Sequence, residues 1–233
     1  MDSQILKRML RVSFLGFLLL WTAGVRAQDP GAPERASDPL EQRVPRLKLE
    51  DEPLLTGIAR LNTLTKDVGF SVELIPGTPT SAPPPSPKFT AQIEGAAVQE
   101  VLDWLCGLDR RYAWARDGNM VNVFPRAIMH DTNYFLNRKL TNLVLHEVSK
   151  PMDAVSKATR PISRPGETLV SWQGIHDFSK PWTASFTNIS VREALNRIAQ
   201  QLGPGYGWLV AGNPEVRIFS FHQQLRPRLN SQE

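Results

Sequence analysis

The sequence is poor in cysteine and histidine. A single cysteine, Cys106, among 233 residues excludes a disulfide framework and a cysteine-based zinc site. It lies in an apolar stretch with helical spacing, which predicts a buried, unreactive thiol. The histidines are four widely separated residues: His130, His146, His176 and His222. Because metal sites normally draw on closely spaced ligands, the sequence predicts no metal and no other cofactor.

The sequence also lacks an apolar run of the ~20 residues that a membrane-spanning helix needs. Its longest apolar segment, 12–25, follows three basic residues and precedes small residues that end at Ala27. A basic start, a short apolar core and a small residue before the cut are typical of a secretory signal peptide. We therefore predict a signal peptide over 1–27, secretion across the inner membrane, and no stable membrane span after cleavage. The alternative is that this segment is retained as an anchor.

Charge of one sign is not concentrated in the rest of the chain. The predicted signal peptide holds four of the 27 basic residues and one of the 23 acidic residues, so its removal lowers the formal net charge from +4 to +1. Basic clusters such as Arg110-Arg111 are short. A protein that binds nucleic acid needs a basic patch to neutralise phosphates, so we expect no nucleic-acid partner.

Composition predicts where ordered structure is interrupted. Residues 28–52 begin with a stretch rich in proline, alanine and charged residues, which predicts a flexible linker. Five prolines between positions 79 and 87 predict an extended loop over 76–87, because proline fixes φ and lacks an N–H donor. Residues 227–233 are predicted to form a tail.

An internal repeat covers much of the remaining chain. Its first copy runs from Phe89 to Phe124 and its second from Trp182 to Phe219. Corresponding positions are offset by 93 residues in a helix, by 94 at a Tyr-x-Trp triplet and by 95 in the last strand. The two one-residue steps fall in turns, where insertions are tolerated. The pattern therefore indicates a duplicated unit.

Periodicity predicts a strand, a helix and two further strands in each copy. Apolar residues alternate at the start of each copy, and a helical stripe follows. Ser190 with Glu193 predicts a capping box at the second of these helices. Upstream elements are predicted as helices over 53–66 and 152–159 and as strands over 70–75, 140–148 and 168–171. The predicted fold class is α+β, with two tandem small modules of the strand-helix-strand-strand type over 53–129 and 130–226.

The order of these motifs resembles the secretin/TonB short N-terminal domain, a small module of the bacterial cell envelope. The second copy, 182–222, carries the characteristic phrase from Val191 to Ile198, followed by Tyr-x-Trp and a closing strand. The first copy, 89–125, departs from the phrase with Val101 in place of alanine. The tandem arrangement also resembles uncharacterised secreted bacterial proteins. The resemblance implies a periplasmic location and a role that works through protein contacts.

No catalytic motif is present in the sequence. A Gly-x-Ser-x-Gly elbow is absent, and the glycine-rich segment 203–207 follows a helix, which predicts a turn and not a phosphate loop. We therefore predict a non-enzymatic protein-interaction module, an adaptor or accessory of an envelope assembly, with envelope proteins as partners. Within the loop-rich segment 160–180, Trp172 and His176 are the candidate residues for contact with a ligand or partner.

The alternative function is a protein that binds carbohydrate or peptidoglycan, or an enzyme, with its site in a cleft between the two modules. The segment 160–180 would then form a lid, and His176 and Asp177 would meet a residue of the first module. Convergence of these two residues with His130 and Asp131 would instead suit a metal ion.

Overall fold

The described part of the chain folds into a mixed α+β structure. The computed structural model describes residues 38–77, 85–171, 177–213 and 215–225. Within these residues it contains four α-helices and ten strands, which confirms the α+β class. The predicted signal peptide and tail, most of the proline-rich loop, Trp172 and His176 lie outside the described residues.

Strands and helices follow the same order in two halves of the chain. The elements of the first half are β1 (Arg43–Pro53), α1 (Leu54–Leu64), β2 (Gly69–Glu73), β3 (Lys88–Ala97), α2 (Val98–Leu108), β4 (Tyr112–Asp117) and β5 (Met120–Pro125). Those of the second half are β6 (Lys139–Val148), α3 (Pro151–Thr159), β7 (Thr168–Ser171), β8 (Trp182–Ser190), α4 (Val191–Leu202), β9 (Gly207–Gly212) and β10 (Val216–His222). The five upstream elements predicted from periodicity are confirmed to within two residues.

The predicted flexible linker, 28–52, is wrong at its C-terminal end. Residues 43–53 form β1, which pairs antiparallel with β3. Val44, Leu47 and Leu49 are buried in the core of the first half, while the residues between them are mostly charged and exposed. Those charges lie on the outer face of a two-stranded sheet. Because of these charges the segment has the composition of a linker, although its three apolar residues are packed in the core.

Both two-stranded sheets contain the same bulge. It lies in β1 and β6, upstream of the two copies of the sequence repeat. In β1 the bulge places Asp51 at a positive φ of 54°, and in β6 it places Glu147 at 47°. The backbone N–H of each residue donates to a threonine hydroxyl across the sheet, Thr90 or Thr183, in both cases at 3.0 Å. The similarity of the two halves therefore extends upstream to β1 and β6.

One large sheet runs through both halves. Among the described strands, six form a sheet in the order β4-β5-β2-β9-β10-β7, and β1-β3 and β6-β8 form separate two-stranded sheets. The helices lie between these layers: α1 contacts both β1 and β2, and α4 contacts both β8 and β9. Each half has an apolar core around its helices. No helix in the described ranges is long and apolar enough to cross a membrane.

The two halves meet where β2 runs parallel to β9. Val72 is paired with Leu209 and Glu73 with Val210, and the N–H of Leu74 donates to the Val210 carbonyl at 2.9 Å. Both strands belong to the interior of the large sheet, so each is paired with a neighbouring strand on both sides. The junction is thus a continuous sheet and not a loose domain contact.

Two glycines permit the close approach of these strands. A Cβ on Gly207 would lie 1.8 Å from the carbonyl oxygen of Phe70, and a Cβ on Gly69 would lie 2.1 Å from that of Tyr206. At the position equivalent to Gly207, the first half has Ala113. Glycine at position 207 is therefore required by the junction and not by the repeated fold itself.

Side chains from each half complete the core of the other. Met120, at the start of β5, packs among the apolar residues of the second half. Leu225, after β10, packs in the core of the first half, and its N–H donates to Asn62 Oδ1 at 2.8 Å. The described residues therefore belong to one compact unit.

Candidate functional site

Strand β4 forms one edge of the six-stranded sheet. The N–H of Arg126 donates to the Arg111 carbonyl at 2.7 Å, so these two residues form a hydrogen-bonded pair between β4 and β5. Along an antiparallel ladder, such pairs alternate with pairs whose backbone groups point outward. The residues on either side of Trp114 are therefore bonded to β5, while the backbone groups of Trp114 and Arg116 point away from the sheet. These outward groups have no hydrogen-bond partner among the described residues. Such an edge is suited to pairing with an added strand.

A partly exposed tryptophan, Trp114, lies on this edge strand. The indole N–H of Trp114 donates to Asp103 on α2 at 2.8 Å, and Trp104 is the next residue of that helix. Both indoles are only half-buried. The partly exposed indole of Trp114, beside unpaired backbone groups, combines apolar contact area with directional hydrogen bonding.

The equivalent face of the second half is covered. Trp208 is fully buried, and its indole donates to Asn196 on α4 at 2.8 Å. Asn196 in turn donates to Asp117 of the first half at 2.9 Å, and Arg197 contacts the same carboxylate at 3.3 Å. The equivalent indole of the first half, that of Trp114, is only half-buried among the described residues.

A buried ion pair joins the halves beside the strand junction. Glu73, at the end of β2, is wholly buried and accepts hydrogen bonds from Arg192 Nε at 2.5 Å and Nη2 at 3.1 Å. Arg192 also donates to Asn137 Oδ1 at 2.5 Å. Burial raises the pKa of the Glu73 carboxyl, and the hydrogen bonds from Arg192 oppose the rise. The start of α4 is thereby fixed to β2 of the other half.

A second charged cluster lies within the second half. Glu167 accepts hydrogen bonds from Arg138 Nη1 and Nη2, both at 2.8 Å, and from Arg217 Nη2 at 3.3 Å. The Arg217 guanidinium also lies over the ring of Phe135, 4.0 Å from its centroid. The hydrogen bonds from Arg138 are the main reason why the pKa of Glu167 falls to about 2.

The lowered pKa of Glu167 makes stability depend on pH in the acid range. Since folding lowers this pKa from 4.5 to about 2, the ionised carboxylate stabilises the fold above pH 4.5, and this contribution is lost as the pH falls towards 2. We expect the difference in free energy of unfolding between the wild type and Glu167→Gln to shrink over that interval, measured by urea denaturation at each pH. A constant difference would contradict the assignment.

The residues singled out for chemistry are not brought together in the described structure. Cys106 is buried, and burial raises the pKa of its thiol to about 12, so it is protonated at neutral pH. His130 and Asp131 are exposed, and burial lowers the pKa of His222 to about 4. Among the residues that the structure describes, no group of three or more His, Cys, Asp or Glu residues is placed to hold a metal ion.

Nothing in the repeat pattern indicates the role of Glu73 or Arg192. One signal was available: Glu73 is the only charged residue of the predicted strand 70–75, and a carboxylate at an interior strand position needs a buried cation. The identity of that cation depends on the packing of the two halves, which periodicity cannot supply.

The chain matches no protein-family model, no curated protein and no solved structure.

Proposed function

We propose that this chain is a non-enzymatic protein-interaction module of the cell envelope, an adaptor or accessory of an envelope assembly that works in the periplasm. The segment 1–27 supports export, because it has the charge and length pattern of a signal peptide. The matching order of elements in the two halves supports a tandem pair of small modules. The resemblance to the secretin/TonB short N-terminal domain supports work through protein contacts.

The observation that carries the proposal is the open edge of β4 with the half-buried Trp114. An extended segment of a partner would hydrogen-bond to the outward backbone groups of Trp114 and Arg116. Its side chains would contact the half-buried indole of Trp114. Tryptophan is enriched among the residues that contribute most binding energy at interfaces. Backbone pairing would thus supply affinity and the indole selectivity.

A second copy of this chain cannot supply the partner strand by repeating the internal junction, so we propose that the strand comes from a different protein. In the order of elements, β7 is equivalent to β2 and β4 is equivalent to β9. A repeat of the β2-β9 junction between two copies would therefore pair β7 of one copy with β4 of the other. The positions of Gly69 and Gly207 would then be occupied by Glu167 and Ala113. A Cβ at either position cannot fit the close backbone approach seen between β2 and β9.

Photo-cross-linking in the cells that produce the protein tests this proposal. A photoreactive phenylalanine derivative replaces Arg116 on the open edge or, as a control, Val144, an exposed apolar residue of β6. We expect one envelope protein to be cross-linked at position 116 and not at position 144, with mass spectrometry identifying it. Absence of a cross-linked protein at position 116, or the same products at both positions, would contradict the proposed surface.

A matched pair of variants separates backbone pairing from side-chain contact. Arg116→Pro removes the outward N–H, whereas Arg116→Ala removes only the side chain and its ion pair with Asp38. We expect Arg116→Pro to weaken binding of the identified partner about tenfold, because a carbonyl of the partner strand would lose its donor and remain unpaired in the interface. Arg116→Ala keeps the N–H and should leave binding nearly unchanged. Equal effects of the two variants would argue against strand addition.

A further inference from the structure

A cavity of about 320 Å³ lies where the two halves meet. Leu74 and Pro76, which follow β2, form one side of the cavity, and Val210 on β9 lies beside them. Phe135 and Ile128 add further apolar surface. A cavity of this size, apolar over much of its wall and with a few charged groups, is typical of a small-molecule site.

The charges in the wall of the cavity are unbalanced. Arg138, Arg217 and Glu167 all line it, and their side chains are between 8% and 12% exposed. Two guanidinium groups therefore share one carboxylate. Burial of an uncompensated charge is unfavourable unless a counterion is supplied.

Arg217 carries the excess charge. Its Nη2 donates to Glu167, and its guanidinium lies over the Phe135 ring. Its Nη1 is buried and has no hydrogen-bond partner among the residues that the structure describes. Because Arg217 lines the cavity, this unpaired donor lies beside it, and a ligand oxygen would be a natural partner for the guanidinium.

The rim of the cavity does not correct the imbalance. Arg164 and Asp131 both line it and both are exposed, so their opposite charges offset each other and are screened by water. Arg164 is held near the opening by a hydrogen bond from Nη2 to Asn133 Oδ1 at 3.0 Å. One net positive charge therefore remains within the wall.

We infer that this cavity binds a small carboxylate with an apolar body, whose carboxylate pairs with Arg217 and whose body contacts Phe135, Leu74 and Val210. A single negative charge matches the single excess positive charge, and guanidinium groups pair well with planar carboxylates. The apolar wall disfavours a small, fully hydrated anion such as inorganic phosphate. A free carboxylic acid and the C-terminus of a peptide with an apolar last residue share this chemistry.

Titration calorimetry of the full chain tests the inference with defined probes. The carboxylates are N-acetyl-leucine, N-acetyl-phenylalanine and the peptide acetyl-Ala-Leu, and the comparison ligands are N-acetyl-leucinamide and inorganic phosphate. We expect at least one carboxylate to bind at least about tenfold more tightly than either comparison ligand, because only a carboxylate offers a charge-assisted pair in an apolar site. Preference for the peptide over the free acids would identify a chain terminus as the source.

Variants locate the site. We expect Arg217→Gln to weaken the best carboxylate at least about tenfold and Arg164→Gln, at the exposed rim, to weaken it about threefold. Arg43→Gln, on the outer face of β1, should have no effect. Arg164→Gln keeps the test decisive if Arg217→Gln fails to fold. The inference is overturned if no carboxylate in the panel binds, if the amide or phosphate binds as well as the acids, or if the folded Arg217 and Arg164 variants bind like the wild type.

Discussion

Replacing Gly207 with alanine is expected to lower the free energy of unfolding by about 3 kcal/mol, the upper part of the usual range for overpacked cores. The added Cβ would lie 1.8 Å from the carbonyl oxygen of Phe70 and 2.8 Å from its nitrogen. Both atoms are backbone in the interior of the sheet, so no side-chain rotation can relieve the contact. The strands β2 and β9 would have to separate, and urea denaturation measures the loss.

Two other positions control for the substitution itself. Gly107, near the end of α2, has no atom within 4 Å of an added Cβ, so Gly107→Ala should be neutral or stabilising by up to about 1 kcal/mol through helix propensity. Gly69→Ala, on the opposite strand, should resemble Gly207→Ala, because its Cβ would lie 2.1 Å from the Tyr206 carbonyl oxygen. If Gly207→Ala is as stable as the wild type, the two halves do not pair through β2 and β9.

Replacing Glu73 with alanine is the second large expected effect, a loss of about 3–5 kcal/mol. Glu73 is wholly buried, and its removal leaves the Arg192 guanidinium, which is 17% exposed, without its carboxylate. Asn137 and the ring of Phe124, 5.1 Å away, remain near Arg192 but bring no negative charge. Thermal and urea unfolding should both report the loss.

A double substitution distinguishes the effect of the buried charges from the effect of the volume that the two side chains fill. Replacing both Glu73 and Arg192 with methionine removes the two charges together, and most of the lost stability should return, since apolar residues of similar size often replace a buried ion pair without loss. Glu94→Ala breaks an exposed pair with Arg46 and should change stability by less than about 0.5 kcal/mol. Equal effects of Glu73→Ala and Glu94→Ala would show that Glu73 is not buried against Arg192.

Local pattern predicts much of this fold. The helical stripe that includes Leu102 in α2 and Leu195 in α4 is buried, as the spacing indicates. Ser190 caps α4: its hydroxyl accepts from the Glu193 N–H at 3.2 Å. These features depend on residues close in sequence, so a single sequence suffices to predict them.

The relation between the halves could not be predicted in the same way. Pairing of β2 with β9 depends on residues more than 130 positions apart, and no periodicity encodes it. The exchange of alanine for glycine between the equivalent positions 113 and 207 is a local trace of that pairing. The strand β1 was missed for another reason: three buried apolar residues among charges have the composition of a linker. The candidate contacts Trp172 and His176 stay predictions.

Amide hydrogen exchange along β4 tests the central claim, an open edge that takes a partner strand, most directly. In the free protein we expect fast exchange at Trp114 and Arg116 and slow exchange at Ala113 and Ala115, which are bonded to β5. With the cross-linked partner bound, Trp114 and Arg116 should become protected while the two alanines change little. Protection of Trp114 and Arg116 in the free protein, or continued fast exchange in the complex, would contradict the account.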